Sequence, residues 1–279
     1  MRNVVVTGVS TGIGEATARV LARAGVRVFG SVRKPADAER LAQELGPLFV
    51  PLVFDVTDQS AIDAAAADVE RTLGAQTLSG LVNNAGVAVV GPLLHLAPES
   101  LARQLDINIV GQLRVTRAFL PLLGAGSARS GAPGRIVMMS SVAGRNASPF
   151  MGPYNASKFG LEGLAECLRR ELMLFGIDVV IVAPGPIATP IWDKVEGVDD
   201  PAFADSPYAR AMTVAKEVIA KGRQGFAAER VGELVLHALT TRKPKTYYVI
   251  TPHPWQTRLM KWLPKRFVDR MIARRLGLT

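Results

Sequence analysis

Three polar side chains in the middle of the chain have types and spacings suited to proton transfer. Tyr154 and Lys158 lie four residues apart in the segment PYNASKFG, and Ser141 lies thirteen residues before the tyrosine. Residues four apart share a face of a helix, so the ammonium of Lys158 can approach the phenol. An adjacent cation favours phenolate and lowers the pKa of a tyrosine below its usual value of about 10. The spacing predicts an acid/base tyrosine; the alternative is a surface tyrosine and a surface lysine on an ordinary helix.

A glycine-rich segment near the start of the chain suits the binding of phosphate groups. TGVSTGIG places Gly8, Gly12 and Gly14 between a predicted strand and a predicted helix. Glycines in such a turn let backbone N–H groups approach a pyrophosphate at the helix N-terminus. The spacing differs from the GxGxxG of many dinucleotide-binding folds. The segment predicts a dinucleotide loop; the alternative is a tight turn without a ligand.

The elements that must position these residues alternate between strands and helices. NVVVTG, VRVFGSV and GRIVMMSS predict strands, and PADAERLAQELG, with proline first and glycine last, predicts a helix. Further helices are predicted over 61–73, 99–123 and 154–175, and Pro51 makes the first half of the strand LFVPLVFDV uncertain. The alternation predicts one doubly wound α/β domain over residues 1–250, with about seven parallel strands and helices on both faces.

The polar clusters of the chain follow the predicted strands. TGVSTGIG, DV, NNAG, SSVAG and APGPIATP each stand where a strand ends. In an open parallel sheet these ends meet at one edge, and ligands bind there. The sequence therefore predicts a single site that gathers all five segments.

Composition and charge exclude several classes of function. The chain has 279 residues, one cysteine, no apolar run long enough to span a membrane and no recognisable signal peptide, so we expect a cytoplasmic protein. The net charge of +9 lies entirely in residues 241–279, which carry ten Lys/Arg and one acid, and residues 1–240 are neutral. A neutral body without a recognition motif argues against nucleic acid. The three histidines are isolated in the sequence, which predicts no metal site.

The motifs TGVSTGIG, NNAG, SSVAG followed by YNASK, and PGPIAT resemble, in order and spacing, the short-chain dehydrogenase/reductase family over roughly residues 1–250. The resemblance implies a Rossmann-type fold and an NAD(P)-dependent oxidoreductase acting on CH–OH groups. It implies Tyr154 as the proton donor to a carbonyl oxygen, Ser141 as the residue that holds that oxygen, and Ser140 as the neighbouring candidate. Lys158 would bind the nicotinamide ribose, and Asn108 would bend its helix and anchor a water of a proton relay.

The resemblance also implies a set of residues that contact the cofactor. They are Gly8, Ser10, Thr11, Gly12, Ile13, Gly14, Ser31, Arg33, Asp55, Val56, Asn83, Ala85, Gly86, Tyr154, Lys158, Pro184, Gly185, Ile187 and Thr189.

The end of the second strand predicts which dinucleotide binds. NAD sites place an acid near the ribose 2′-OH, whereas an arginine suits a 2′-phosphate. Val32 occupies the place of the acid, Arg33 follows it, and Ser31 can add a hydrogen bond. The sequence predicts NADP(H) over NAD(H), although Thr11 stands where many NADP-binding relatives carry a second basic residue; the alternative is a solvated arginine.

A long segment before the last predicted helix is expected to cover the substrate. In the family that it resembles, the segment 190–228 forms a lid, and Trp192, Phe203, Tyr208 and Met212 would give it an apolar underside. The predicted substrate is a hydrophobic ketone, aldehyde or alcohol of steroid, retinoid or lipid type. Ordinary packing of a helical excursion is the alternative.

The tail after residue 250 is a basic extension, 251–279. A helix that starts near Pro264 would place Phe267, Val268, Met271, Ile272 and Leu276 on one face and its basic residues on the other. Residues 255–279, with Trp255 and Trp262, would then contact an anionic membrane; the alternative is that the helix docks on its own domain.

Two further expectations concern the whole protein. The resemblance implies a homodimer or homotetramer assembled through the helices over 99–123 and 154–175. A catalytically silent dinucleotide sensor or scaffold is the competing class of function, although the presence of all four catalytic candidates favours an enzyme.

Overall fold

The computed structural model describes residues 1–126, 129–190, 203, 205–222, 224–252 and 262–278, with only the backbone described for 218–222. The strands are β1 (Asn3–Val6), β2 (Arg27–Val32), β3 (Phe49–Val53), β4 (Gly80–Asn83), β5 (Arg135–Met139), β6 (Asp178–Pro184), β7 (Ile187–Ala188), β8 (Phe226–Ala227) and β9 (Tyr247–Ile250). The α-helices are α1 (Gly12–Arg23), α2 (Pro35–Leu45), α3 (Gln59–Leu73), α4 (Pro98–Leu105), α5 (Gly111–Phe119), α6 (Gly152–Glu171), α7 (Ala209–Gly222), α8 (Ala228–Thr240) and α9 (Lys265–Leu276).

Seven strands form one parallel sheet in the order β3-β2-β1-β4-β5-β6-β9. The order reverses between β1 and β4, and that reversal is the topological switch point at which such sheets bind ligands. The predicted doubly wound fold is confirmed. Pro51 pairs with Gly30 inside β3, which is an edge strand and therefore accepts a residue without an N–H donor.

The sheet has a core on each face because side chains alternate along its strands. Val5 and Ile136 join the core that contains residues of α3, α5 and α6. Val4, Val6 and Val137 join the other core, which contains residues of α1, α2 and α8. A strand buried on both faces reads as a continuous apolar run, which is why the sequence showed these strands clearly.

The long helix predicted over 99–123 is interrupted in the structure. A π-helical segment, Asp106–Val110, separates α4 from α5, and a 3-10 turn, Leu120–Leu123, follows α5. The helix α6 likewise ends in a 3-10 turn, Leu172–Phe175. Single π turns inside helices occur frequently at functional sites, and this one contains Asn108.

A third, smaller apolar cluster joins the lid to the tail. Phe203 and Met212 of the lid pack with Phe150 and with Leu276 of α9. Trp192 and Trp255, two residues of the predicted lid and tail, lie outside the described residues. No helix in the described part of the chain is long and apolar enough to cross a membrane.

Candidate active site

The carboxyl ends of the central strands enclose a cavity of about 440 Å³. Its walls contain these predicted cofactor residues: Gly8, Ser10, Thr11, Gly12, Ile13, Gly14, Ser31, Arg33, Asp55, Val56, Ala85, Gly86, Tyr154, Lys158 and Thr189. Val32 and Ser140, the latter the neighbouring candidate for the catalytic serine, also line the cavity. The wall residues that were not predicted from the sequence are Phe54, Asn84, Val87, Ala88, Arg103, Ile107 and Met139. Most of them directly precede or follow a predicted residue, and this adjacency in sequence could have indicated them. Arg103 and Ile107 come instead from the helical region 98–110.

The glycine turn has the close backbone approaches that require glycine. Gly8 and Gly12 have φ of 70° and 65°, a region that glycine adopts without strain. A Cβ on Gly14 would overlap the carbonyl oxygen of Gly8. The helix α1 begins at Gly12, and Gly12, Ile13 and Gly14 of its first turn line the cavity, where unpaired N–H groups of a helix N-terminus are suited to an anion.

Asn84 fixes this turn to the end of β4. Its side-chain amide donates to the carbonyl oxygens of Thr7 (2.9 Å) and Gly8 (3.1 Å). The hydroxyl of Thr7 accepts from the backbone N–H groups of Asn84 and Ala85. Asn83, the predicted contact, is buried behind the wall and donates to Thr116 Oγ1 (2.8 Å) and Met138 Sδ. The side chain of the NNAG motif that faces the cavity is therefore that of Asn84.

The end of β2 carries the residues expected to select the dinucleotide. Arg33 lines the cavity, is 72% exposed and has its guanidinium 3.9 Å from the carboxylate of Asp55. Ser31 is buried, and its hydroxyl accepts from the N–H of Gly8 (3.1 Å). Arg40 of α2, which the sequence reading missed, donates to the carbonyl oxygen of Ser10 (2.9 Å) and pairs with Glu15.

The remaining predicted cofactor residues lie beside the cavity without lining it. Pro184 accepts a hydrogen bond from Ser141 Oγ at 3.4 Å. The N–H of Gly185 donates to the carbonyl oxygen of Ile250, and Ile187 is buried in β7.

Tyr154 and Lys158 lie one turn apart at the start of α6. The ammonium of Lys158, 6% exposed, donates to the carbonyl oxygen of Met139 at 2.8 Å. Its nitrogen lies 5.7 Å from the ring centroid of Tyr154. Burial lowers the pKa of Lys158 to about 8, and the negative charge of Glu162 opposes that shift. The two side chains therefore share one corner of the cavity, as the four-residue spacing predicted.

The electrostatics of the tyrosine differ from the prediction. Burial raises the pKa of Tyr154 above its ordinary value, and a hydrogen bond with Ser141 lowers it in part. Lys158 directs its ammonium to the carbonyl oxygen of Met139, and the desolvation of the phenol dominates. In this structure Tyr154 is therefore a protonated phenol at neutral pH.

The two serines after β5 have different partners. Ser141 caps the 3-10 helix Val142–Gly144, accepts from the N–H of Ala143 (3.2 Å) and bonds with Tyr154. Ser140 lines the cavity, but its hydroxyl donates to Glu162 at 2.9 Å. Ser141 is thus the serine whose hydroxyl reaches the tyrosine.

Asn108 lies in the π turn and holds the segment after β4. It is buried, accepts from the N–H of Val87 (2.9 Å), and donates to Val87 O and Ser157 Oγ, both at 3.0 Å. Two other buried amides, Gln104 and Gln112, also bond the backbone of 85–89. The three amides recur every four residues, and this spacing in the sequence could have predicted that they share one face.

The described residues of the predicted lid and of the tail meet at the third cluster. Tyr208 and Met212 lie on or beside the third cluster, with the ring of Tyr208 edge-on to Phe150. The helix α9 turns Leu276 and Ile272 towards this cluster, while Phe267 and Met271 remain exposed. The apolar face predicted for the tail helix is therefore divided between an inner and an outer side. No group of metal-binding side chains occurs among the described residues.

Comparison with known proteins gave consistent matches. Residues 2–198 match the family model described as short chain dehydrogenase. Over 278 residues the chain is 38% identical to an NADPH-dependent 3-dehydrocapnine reductase of Ornithobacterium rhinotracheale, covering 99% of this chain and 98% of that protein. It is 34% identical to retinol dehydrogenase 5 of Homo sapiens, covering 97% of this chain and 86% of that protein.

Solved structures match over nearly the full length as well. A short-chain dehydrogenase from Streptomyces avermitilis superposes with a TM-score of 0.78 at 27% identity, covering 99% of this chain and 97% of that one. A short-chain dehydrogenase/reductase from Burkholderia phymatum in complex with NAD gives a TM-score of 0.78 at 26% identity, covering 94% and 93%.

Proposed function

The chain belongs to the short-chain dehydrogenase/reductase family, and from the geometry of its cavity we propose that it is an NADPH-dependent oxidoreductase that interconverts a hydrophobic carbonyl compound and its alcohol. One observation carries the proposal. The glycine turn, Tyr154 and Lys158 line one cavity, and Ser141 lies beside Tyr154, although the turn and this cluster are more than 120 residues apart in sequence.

The residues present fit a dinucleotide phosphate. The φ of Gly8 and Gly12 and the overlap that a Cβ on Gly14 would cause leave a cradle for phosphate oxygens at the N-terminus of α1. Arg33 faces the cavity beyond this cradle, and no acid occupies position 32. The relative that is 38% identical is described as NADPH-dependent, which agrees with the preference argued from Arg33.

Each residue of the reacting corner has a task in carbonyl reduction. A reduced nicotinamide bound in the cavity supplies the hydride that the carbonyl carbon accepts. Tyr154 gives its phenolic proton to the carbonyl oxygen, and a pKa above the ordinary value keeps it protonated for this step. Ser141 donates a hydrogen bond to the same oxygen. The ammonium of Lys158 favours the phenolate that remains. In alcohol oxidation the phenolate accepts the proton instead.

A Tyr154→Phe variant tests the enzyme against the alternative of a silent sensor or scaffold. It keeps the ring and loses the proton donor, so we expect kcat to fall by about 10² to 10⁴ while the Kd for NADPH changes less than about twofold. Tyr248→Phe is the matched control, because that tyrosine does not line the cavity and its hydroxyl accepts from the N–H of Lys245. Equal turnover of NADPH by the parent and Tyr154→Phe would contradict the role of Tyr154. A parent chain that binds NADPH and reduces no carbonyl compound would favour the sensor.

The apolar cluster beside the lid supports a hydrophobic substrate. Phe150, Phe203 and Met212 are buried there together. The described relatives are named for retinol and for 3-dehydrocapnine. We therefore expect long-chain ketones, retinoids or steroids to be turned over with a kcat/KM at least tenfold above that for short sugars or polyols, measured by NADPH absorbance. Exclusive turnover of polyols would contradict this part of the proposal.

The outer side of α9 supports contact with an anionic membrane. Phe267 and Met271, 56% and 45% exposed, share one side of the helix, next to Arg270 and Arg274. Trp262, just before the helix, is 87% exposed. Exposed apolar residues flanked by arginines match the pattern of helices that lie on anionic lipid.

Flotation with liposomes tests the membrane contact. The parent should float with vesicles of phosphatidylcholine and phosphatidylserine, and Phe267→Ser with Met271→Ser should reduce the bound fraction several-fold. Leu174→Ser removes an apolar residue elsewhere that is still more exposed, at 82%, and serves as the control. A parent that stays in the unbound fraction rejects the membrane contact.

Assembly as a homodimer or homotetramer stays a prediction.

A further inference from the structure

Glu162 is a buried carboxylate beside the reacting corner to which the mechanism above gives no task. It lies on α6, one turn beyond Lys158 and two turns beyond Tyr154, and is 7% exposed. Burying an ionised carboxylate is costly unless it is paired and hydrogen-bonded, and an apolar side chain would fill the same space at a lower cost. A buried charge at this position therefore calls for a specific explanation.

Three donors from three different elements converge on this carboxylate. Ser140 Oγ, at the end of β5, and Tyr247 Oη, on β9, donate to Oε1 at 2.9 and 3.0 Å. Arg145 Nε, just after the 3-10 helix, donates to Oε2 at 2.6 Å. The guanidinium of Arg145 also lies over the ring of Tyr247, 3.4 Å from its centroid. The carboxylate thus joins α6 to two strands of the sheet.

The space around the carboxylate is closed as well as bonded. A Cβ on Gly144 would lie 2.6 Å from Glu162 Oε1 and 2.7 Å from Ser140 Oγ. Glycine at position 144 therefore allows the chain after β5 to pass directly over the carboxylate. We call this group the Glu162 cluster; its members are Ser140, Gly144, Arg145, Glu162 and Tyr247. Its contacts join residues from several elements of the fold.

We propose that Glu162 is a positioning residue for the proposed oxidoreductase reaction, which holds the Ser140–Ser141 corner in place and keeps Lys158 in its ammonium form. The proposal rests on the proposed function. Ser140 is bonded to Glu162, and the adjacent Ser141 is bonded to Tyr154, so the cluster sets the position of the serine that polarises the substrate. Met139, the next residue back along β5, provides the carbonyl oxygen that Lys158 binds.

The charge of Glu162 acts on Lys158 in one direction. Burial lowers the pKa of Lys158 to about 8, and Glu162 raises it. Removing the negative charge therefore lets the pKa fall further, towards neutral pH, and Lys158 then loses part of its charge at pH 7. Other titratable or charged groups lie on α6, on the elements packed against it and on the cavity wall: Tyr154, Arg145, Tyr247, Glu99, Arg103, Asp106, Arg33 and Asp55.

The test measures the titration of Lys158 directly, without turnover. The full-length chain is labelled with lysine carrying ¹³C at Cε, and the signal that Lys158→Arg removes is followed against pH by NMR. Glu162→Gln keeps the shape and removes the charge. Glu166→Gln is the matched control, since Glu166 lies one turn further on the same helix, is exposed and pairs with Arg170.

The expected midpoint of Lys158 is about 8 in the parent and in Glu166→Gln, and it is lower in Glu162→Gln. The high-pH limb of kcat/KM should move by the same amount in Glu162→Gln alone. Equal midpoints in all three proteins would overturn the proposal.

Glu162→Asp covers the case in which Glu162→Gln does not fold. It keeps the charge, so the midpoint should stay near that of the parent while kcat falls at least tenfold through the displaced serine corner. A normal kcat together with a normal midpoint would overturn the positioning role. A parent that reduces no carbonyl compound contradicts the proposed function instead, and because the midpoints need no turnover, the two failures are distinguishable.

Discussion

The two ends of the cavity are built differently. At the reacting end, Asn108, Lys158 and Glu162 are each less than a tenth exposed, and each is hydrogen-bonded to groups from other elements. At the end that faces the second strand, Arg33 is 72% exposed and its guanidinium approaches Asp55 only to 3.9 Å. Both ends carry charged side chains, but only the reacting end removes them from water.

This difference in burial separates residues whose substitution should cost much stability from residues whose substitution should cost little. A buried polar group that loses its partner costs the full desolvation penalty of the group left behind. An exposed ion pair contributes at most about 1 kcal/mol, because water screens both charges. We therefore expect substitutions at the reacting end to affect both stability and chemistry, and those at the Arg33 end to affect the choice of cofactor alone.

The largest expected effect on stability is that of Asn108→Ala. The change removes three hydrogen bonds and leaves the partly buried N–H of Val87 without its acceptor, so the free energy of unfolding should fall by about 2 to 4 kcal/mol. Urea unfolding measures this loss. Gln59→Ala, which removes an exposed amide bonded to Asp63, should cost less than about 0.5 kcal/mol. Equal losses in the two variants would remove the contrast between buried and exposed polar groups.

The next effect depends on pH and concerns Lys158. Its folded pKa is about 8 against an ordinary 10.5, so between these values the unfolded chain binds more protons and stability rises with pH. Relative to Lys158→Met, the parent should gain up to about 3 kcal/mol from pH 8 to pH 10.5. Below pH 8 Lys158 is charged in both the folded and the unfolded chain, so the full cost of burying the ammonium opposes folding. Urea unfolding at pH 7.5, 9 and 10.5 measures the difference, with the exposed Lys243→Met as control. Parallel curves for the parent and Lys158→Met would contradict it.

At the other end of the cavity, Arg33→Ala should weaken NADPH binding by about tenfold, or about 1.4 kcal/mol, through loss of the contact with the 2′-phosphate. NADH binding should stay within about twofold of the parent. Fluorescence titration with both dinucleotides checks this. Arg71→Ala, which removes another exposed arginine paired with a neighbouring acid, should change neither affinity. An equal loss for NADPH and NADH would mean that Arg33 does not select the phosphate.

The smallest effect is that of Arg33→Ala on stability. Because the pair with Asp55 is exposed and long, the free energy of unfolding without cofactor should change by less than about 0.5 kcal/mol. Thermal unfolding of the parent and the variant without NADPH is the measurement. A loss above about 1 kcal/mol would show that this end also contributes to the fold, and the comparison of the two ends would then fail.

Much of the fold could be predicted because its signals are local. Strands such as β1 and β5, buried on both faces, read as apolar runs, and glycine or proline marks the ends of α2. The interruption of the helix at Asn108 could not be predicted from propensity, since Asn108 bonds to Val87, 21 residues away in the sequence. The tail helix showed its apolar residues in the sequence, but only its contact with the third cluster divided them into Leu276 and Ile272 inside and Phe267 and Met271 outside.

By itself the sequence determined the order of the strands and helices, the glycine turn and the spacing that places Tyr154 and Lys158 on one face of α6, since each depends on residues within one or two turns. The tertiary structure decided that Asn84 rather than Asn83 faces the cavity, that burial raises the pKa of Tyr154, and that Glu162 receives donors from three separate elements. The burial of Tyr154 and the meeting of three donors at Glu162 depend on groups that are distant in sequence. The periodicity of residues along one helix or strand carries no information about such groups.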